Sequence, residues 1–249
     1  SNAWAIAPAK SAKGTPMMIM NPHLPWQDWY TYYEAHLNAP GMNLYGASQI
    51  GFPVLRFVFT DYLGFTQTVN SIDGSDLYRI TPEGEGYRFD GQKRDYERRR
   101  VTIAVKGQAP IEWSIKKTVH GPVVWEQDGK VLAQRTAGLD RPFLLEQYWK
   151  MAIARNFKEY EAQLKRLEVP TFNITYADRA GHIMYFFNGT LPKRKQGDLA
   201  YWAGVLPGDT SETLWQEYHR YEELPKVIDP PTGWVQNTND PPWTGTFPL

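Results

Sequence analysis

A chain of 249 residues with 42% apolar and 22% charged side chains has the make-up of an ordinary folded protein and is long enough to bury a sizeable core. Its 27 basic and 27 acidic side chains cancel, so it lacks the cationic surplus that releases counterions from a polyanion, and nucleic acid is not an expected partner. With no cysteine, disulfides, thiolate metal sites and a cysteine nucleophile are excluded together. No run reaches the roughly 18 apolar residues of a membrane span, and no basic segment followed by an apolar one opens the chain, so a soluble protein without a signal peptide is expected.

The 36 aromatic residues (10 Trp, 15 Tyr and 11 Phe) and the scattered 20 Gly and 19 Pro favour strands and turns. Short apolar or alternating runs bounded by Gly, Pro, Asn or Asp read as strands at residues 4–7, 17–20, 54–59, 101–105, 111–117, 119–125, 172–177 and 183–187. Residues 93–100 look basic, but Asp95 and Glu97 interrupt them, and a solvated strand or loop is expected there. The clearest helical stretch is 142–167, where Leu144, Leu145, Tyr148, Trp149, Ile153, Phe157, Tyr160, Leu164 and Leu167 recur at helical spacing. Asn156 is placed to cap a second helix inside it, Glu161 and Lys165 form an i,i+4 pair, and Pro170 closes the segment. After Asn188, Pro, Gly and Trp without periodicity predict long ordered loops. The pattern as a whole predicts a strand-rich mixed α and β protein, one domain over 1–249.

Ser1 is the first chemical candidate, because a free N-terminal serine carries a nucleophile and a base on one residue. An α-amine of reference pKa about 7.7 to 8.0 is partly neutral near physiological pH and can accept the hydroxyl proton directly or through one water. An N-terminal Ser by itself is equally explained by trimming of a methionine or by a remnant of tag removal. The wider sequence is more specific. Ser1 to Ile6 (SNAWAI) is followed by Asn21-Pro22-His23-Leu24-Pro25-Trp26, Pro40-Gly41, Gly46-Ala47-Ser48, Gly51-Phe52-Pro53, Thr66-Gln67-Thr68-Val69, His120-Gly121-Pro122, Tyr176-Ala177-Asp178 and Val235-Gln236-Asn237-Thr238-Asn239-Asp240. In this order, behind an N-terminal serine, these segments resemble the catalytic chain of the penicillin acylase family of N-terminal nucleophile hydrolases over essentially the whole sequence. His23 and the Gln236–Asp240 stretch are most similar to the branch of acyl-homoserine-lactone and aculeacin acylases, whereas penicillin G acylases typically carry Gln at the position of His23.

The resemblance implies an α+β protein with the four-layer αββα fold of that superfamily and an amidohydrolase acting through an acyl-enzyme. Ser1 is implied as nucleophile and base, the Val69 N–H and the Asn239 side chain as donors to the oxyanion, and His23 as an aid to orienting the serine, with a structural histidine as the alternative. His36, His120, His182 and His219 show no metal-ligand spacing, and His120 is read as shaping the turn before Pro122. The family's acyl-pocket positions fall on Leu24, Ile50, Phe52, Phe57, Tyr148, Thr171 and Phe172, a set that suits an aliphatic or aromatic acyl group rather than a charged glutaryl one, although each also suits plain core. Arg56, next to this set, either caps the pocket or faces solvent. Asp73 and Asp76, in Ile72-Asp73-Gly74-Ser75-Asp76, match calcium-binding positions of penicillin acylases and equally suit a polar turn. No redox or organic cofactor is implied.

The resemblance also implies a precursor with a signal peptide, an α chain, a spacer and a β chain, in which self-cleavage exposes the serine. This sequence corresponds to the N-terminal part of the β chain, with the α chain and the remainder of the β chain as expected partners, and a periplasmic or secreted location follows from the same likeness. The expected substrate is an N-acyl-homoserine lactone. Two alternatives stand beside it: a penicillin or cephalosporin acylase, and a non-catalytic carbohydrate-binding β module that uses exposed Trp and Tyr for stacking.

Overall fold

A computed structural model describes residues 1–246, which form two compact units: residues 1–73, 138–191 and 219 onward make the first, and residues 74–137 and 192–218 the second.

In the first unit the strands are β1 (Asn2–Ile6), β2 (Met17–Asn21), β3 (Tyr32–Ala39), β4 (Met42–Gln49), β5 (Phe57–Thr60), β6 (Leu63–Thr68), β7 (Asn173–Asp178), β8 (Ile183–Phe187), β9 (Lys226–Ile228) and β10 (Trp234–Asn237). Seven of them form one antiparallel sheet in the order β9-β8-β7-β6-β5-β4-β3, and β10-β1-β2 form a second. The two-residue alternation of side chains makes β6, β7 and β8 the shared wall of two cores. Phe65, Ile174, Tyr176, Met184 and Phe186 point to one face, where they pack with Tyr148, Met151, Tyr160 and Leu164 of the helices α1 (Leu144–Ala152) and α2 (Phe157–Leu164). Ala177, Ile183, Tyr185 and Phe187 point to the other and pack with Ala5 and Val235 of the small sheet. The unit thus stacks a helix pair, a seven-stranded sheet and a three-stranded sheet.

The helical stretch expected over 142–167 is two helices, the second starting at the Asn156 cap as its sequence anticipates, after the chain leaves the helical path beyond Ile153. The Asn156 side chain accepts from the Glu159 N–H at 2.9 Å while Glu159 bonds back to the Arg155 N–H, a cap worth about 1 kcal/mol. Glu161 and Lys165 meet at 2.9 Å, as their spacing requires.

In the second unit the strands Val123–Gln127, Lys130–Thr136, Ser75–Ile80 and Val205–Pro207 form a four-stranded sheet in that order, accompanied by a three-stranded sheet within residues 82–95 and a two-stranded ribbon of Glu97–Ile103 with Ile111–Lys117. Residues 93–95 and 97–100 are exposed strand on either side of the partly buried Tyr96, in keeping with their charge. Tyr78, Ile80, Tyr87, Phe89, Trp202, Leu206 and Trp215 make the core.

His120 belongs to this core. It is 1% exposed, stacked on the Tyr78 ring at 4.0 Å, and its Nε2 is 3.0 Å from the Gly208 carbonyl, so Nε2 carries the proton and donates. Nδ1 is buried with no hydrogen-bond partner among the described residues, and burial holds the imidazole pKa down to about 4 from an ordinary 6.5. The unfolded chain therefore binds the proton first. The stabilising effect of the neutral ring is complete above pH 6.5 and is lost as pH falls from there towards 4, by about 3 kcal/mol in all. Amide exchange in the strand Lys130–Thr136, corrected for its intrinsic pH dependence, is expected to lose about 100-fold protection over that range, a loss that His120→Leu removes.

Candidate active site

The register of the small sheet brings the ends of the chain together. The β1–β10 ladder pairs Ala3 with Asn237, and two further steps set Ser1 opposite Asn239; the β1–β2 ladder pairs Asn2 with Asn21, and one further step sets Ser1 opposite Pro22, next to His23. Ser1, Asn239 and the end of β6 therefore meet at one edge of the space between the sheets. The Ser1 amino group donates to Asn239 Oδ1 at 2.5 Å, and Asn239 Nδ2 donates to the Val69 carbonyl at 2.7 Å. One side-chain amide thus bridges the serine to the residue that follows β6, and its second N–H is left over from this bridge.

Asn239 holds this position with φ +77°, a left-handed conformation that Asn tolerates better than most residues. The Ser1 amine is half-buried, and the desolvation that follows lowers its pKa from 8.0. The neutral form is favoured in consequence. Val69 is 45% exposed just beyond the buried strand. His23 is exposed, and among the described residues its imidazole makes no hydrogen bond.

Of the anticipated acyl-pocket residues, Phe52, Tyr148 and Phe172 pack on the helix side of the large sheet, whereas Phe57, the strand neighbour of Val58 in that core, turns to the opposite face. Phe52 meets Tyr148 edge-on at 5.5 Å, and Phe57 meets Tyr32 in the same manner at 5.5 Å. Tyr32 also lines a recess of about 330 Å³ with Pro22, Leu24, Trp26, Tyr30 and Thr31, so Leu24 joins Phe57 through that wall. Phe172, on the helix side, has an unusual φ of +100° that marks local backbone strain. Thr171 turns its hydroxyl to Asn70 Oδ1 at 2.6 Å, and Ile50 stands 59% exposed.

Arg56 does not face solvent. It is 8% exposed, its guanidinium carbon lies 4.7 Å from the Phe172 ring centroid and 5.4 and 5.9 Å from those of Phe52 and Tyr148, and it bonds Gln49 and, at 3.0 Å, Gln67. Gln67 in turn donates to the Tyr148 hydroxyl at 2.6 Å, whose pKa burial raises, so a neutral phenol closes the chain. Among the described residues the buried Arg56 Nε–H has no hydrogen-bond partner.

Asp73 lies in the first unit and Asp76 in the second. Asp76 is 1% exposed and both its oxygens are engaged within its own unit, by Arg194 at 2.9 Å and by Trp215 Nε1 at 2.6 Å. A guanidinium already balances this carboxylate, which does not fit a cation ligand. Among the described residues no three His, Asp or Glu side chains are grouped to hold a metal ion.

A second set of residues lies behind the site, of which Thr68 and Asn237 fall in the quoted segments while Asn173 and Tyr185 carry no sequence signature of their own. Thr68, Asn173, Tyr185 and Asn237 are buried on the face between the sheets and are linked by hydrogen bonds. They come from four strands, and only the cross-strand registers bring them together.

The penicillin amidase family model matches residues 1–249. This chain belongs to the penicillin amidase family. Among curated members, it is 28% identical over 275 residues to the acyl-homoserine lactone acylase PvdQ of Pseudomonas fluorescens (strain Pf0-1), a match that covers 98% of this chain and 35% of that protein. It is 28% identical over 246 residues to the penicillin acylase 2 proenzyme of Pseudomonas sp. (strain SE83), covering 96% of this chain and 31% of the other. Among solved structures, the thermostable penicillin G acylase of Alcaligenes faecalis superposes with a TM-score of 0.84 at 26% identity, covering 97% of this chain and 44% of that one. The fold is accordingly that of the penicillin acylases, and the chain spans about a third of the length of the curated amidases it matches.

Proposed function

We propose that this chain carries the catalytic centre of an amidohydrolase that cleaves N-acylated substrates, N-acyl-homoserine lactones foremost. The observation that supports the reading is the hydrogen-bonded bridge from the Ser1 amine, whose pKa is lowered, through the Asn239 side chain to the Val69 carbonyl. In the first step Ser1 Oγ attacks the amide carbonyl carbon and its proton passes to the α-amine, leaving a negative oxygen. The Val69 N–H and the unspent N–H of Asn239 stabilise that oxygen where charge develops. The C–N bond then breaks, the ammonium returns its proton to the leaving amine, and an ester of Ser1 remains. Water attacks this ester by the same proton route and releases the carboxylic acid.

His23, adjacent to Ser1 through the ladder, orients the serine in this reading. The residues Phe52, Phe57, Tyr148 and Phe172 with Leu24 bury the acyl chain, and Ile50 and Thr171 form its outer rim. The α chain and the rest of the β chain of a self-processed precursor complete the pocket and the fourth, helical layer, and the enzyme works outside the cytoplasm. Calcium has no part in the chemistry.

Arg56 favours a second reading, a penicillin or cephalosporin acylase. A buried guanidinium whose Nε–H has no partner among the described residues suits an acyl chain that ends in a polar or anionic group. Parallel hydrolysis of hexanoyl- to dodecanoyl-homoserine lactones, a phenylacetyl amide and a glutaryl amide separates the two. Fastest turnover of the long aliphatic chains is expected; preference for the glutaryl amide would assign the pocket to the second reading.

The amine makes a further prediction. Because burial lowers its pKa and the neutral form is the base, kcat/KM for a chromogenic N-acyl anilide rises with pH through a midpoint below 8.0. A rising limb at or above 8.0 would remove the amine from its role as base.

A further inference from the structure

Asn173 lies at the start of β7, 0% exposed, with its side chain between the two sheets. A polar side chain buried there destabilises the protein unless every donor and acceptor is used. The orientation of this network is fixed by its two unambiguous ends. The Asn239 backbone N–H can only donate, and it does so to Asn237 Oδ1 at 2.9 Å; the Val69 carbonyl can only accept, and it lies 3.3 Å from Asn173 Nδ2. Asn237 therefore presents its oxygen inward, and the Thr68 hydroxyl must donate to it. With its proton spent, Thr68 Oγ1 accepts from Asn173 Nδ2 at 3.2 Å, while the same Nδ2 lies 3.1 Å from Asn237 Oδ1. Asn173 Oδ1 is left facing Tyr185, whose hydroxyl donates to it at 2.8 Å. Each amide flip follows from the one before it.

This network touches both proposed oxyanion donors from behind. Asn173 shares the Val69 carbonyl with Asn239 Nδ2, and through Asn237 Oδ1 it supports the backbone N–H of Asn239, the residue at φ +77°. We infer that Asn173, oriented by Tyr185, is a positioning residue that preorganises the Val69 and Asn239 donors for the tetrahedral intermediate. The inference rests on the serine-nucleophile reading. Asn173 does not touch substrate; it acts through the two residues that do.

An alkylboronic acid tests it on the intact protein, because the boron takes up Ser1 Oγ to form a tetrahedral anion that uses the oxyanion donors, whereas the product carboxylic acid binds without them. Asn173→Asp keeps the shape and removes the donating NH₂. It is expected to lower kcat/KM and boronate affinity together by about 100-fold, the scale of one lost oxyanion donor, with product-acid affinity changed by less than about threefold. Tyr185→Phe and Thr68→Val are expected to lower both by about tenfold in the same pattern, and they decide the matter should Asn173→Asp not fold. Boronate affinity unchanged in these variants, or boronate and product-acid affinity lost equally, would overturn the inference. Absence of any boronate adduct on the wild-type serine would instead overturn the nucleophile reading on which it rests.

Discussion

Ser1→Ala is expected to reduce hydrolysis of an N-dodecanoyl amide to the level of the uncatalysed reaction, a loss of at least about 10⁴-fold in kcat, with the fold intact. The residue's position explains both halves of this expectation. Its hydroxyl supplies the only covalent step in the proposed cycle, so nothing remains to form the acyl-enzyme. Its backbone amine, which donates to Asn239, is unchanged by the substitution, and Ala3 and Ala5 continue to seal the strand into the core. The melting temperature should therefore stay within a few degrees. Turnover by the alanine variant comparable to wild type would dissociate the activity from this edge of the sheets.

Asn239 should be the next most sensitive position. Asn239→Ala removes the proposed donor to the oxyanion together with the acceptor that holds the Ser1 amine, and kcat is expected to fall by about 10² to 10³, equivalent to about 2.7 to 4 kcal/mol of transition-state stabilisation. KM should move little, because the interaction is made in the transition state. Asn239→Asp separates the two roles. It retains an acceptor for the amine and loses the N–H, and its negative charge favours the ammonium form. The activity should fall as in the alanine variant, and the rising limb of the pH profile should shift upward. Steady-state kinetics across pH checks both parts; an aspartate variant with wild-type kcat would exclude Asn239 as an oxyanion donor.

How far these residues were legible in the sequence depended on what positions them. Residues 111–117 and 183–187 read as strands, and Asn156 as a cap, because apolar alternation and cap chemistry are local and the structure keeps them. β6 was not legible as a strand. Its Gly64 and Thr66-Gln67-Thr68 give no apolar run, yet all six of its residues are buried, since Phe65 serves one core, Gln67 bonds Tyr148 of α1, and Thr68 bonds Asn173 and Asn237 of other strands. β4 was hidden in the same way by Gly46, whose position admits no side chain: a Cβ there would stand 1.9 Å from the Phe57 carbonyl oxygen. Ser1 was a candidate from the chemistry of a free N-terminal serine, Val69 and Asn239 only from family likeness, and the registers that bring Ser1 to Asn239 lie outside any local pattern. The same limit applies more strongly to Asn173 and Tyr185, where an Asn in a strand of Ile, Thr and Tyr carries no signal until β6, β8 and β10 are set around it. Arg56 was read as capping the pocket or facing solvent, and its burial among aromatic rings removes the second alternative.

The most direct measurement is the intact mass of the protein after exposure to a long-chain acyl-homoserine lactone analogue or phenylmethylsulfonyl fluoride, with Ser1→Ala treated in parallel and peptide mapping of any adduct. A single stoichiometric adduct confined to Ser1, absent from the alanine variant, is the expected result. An adduct on another residue, or none on a protein that still turns over N-acyl substrates, would contradict the assignment of Ser1 as the nucleophile.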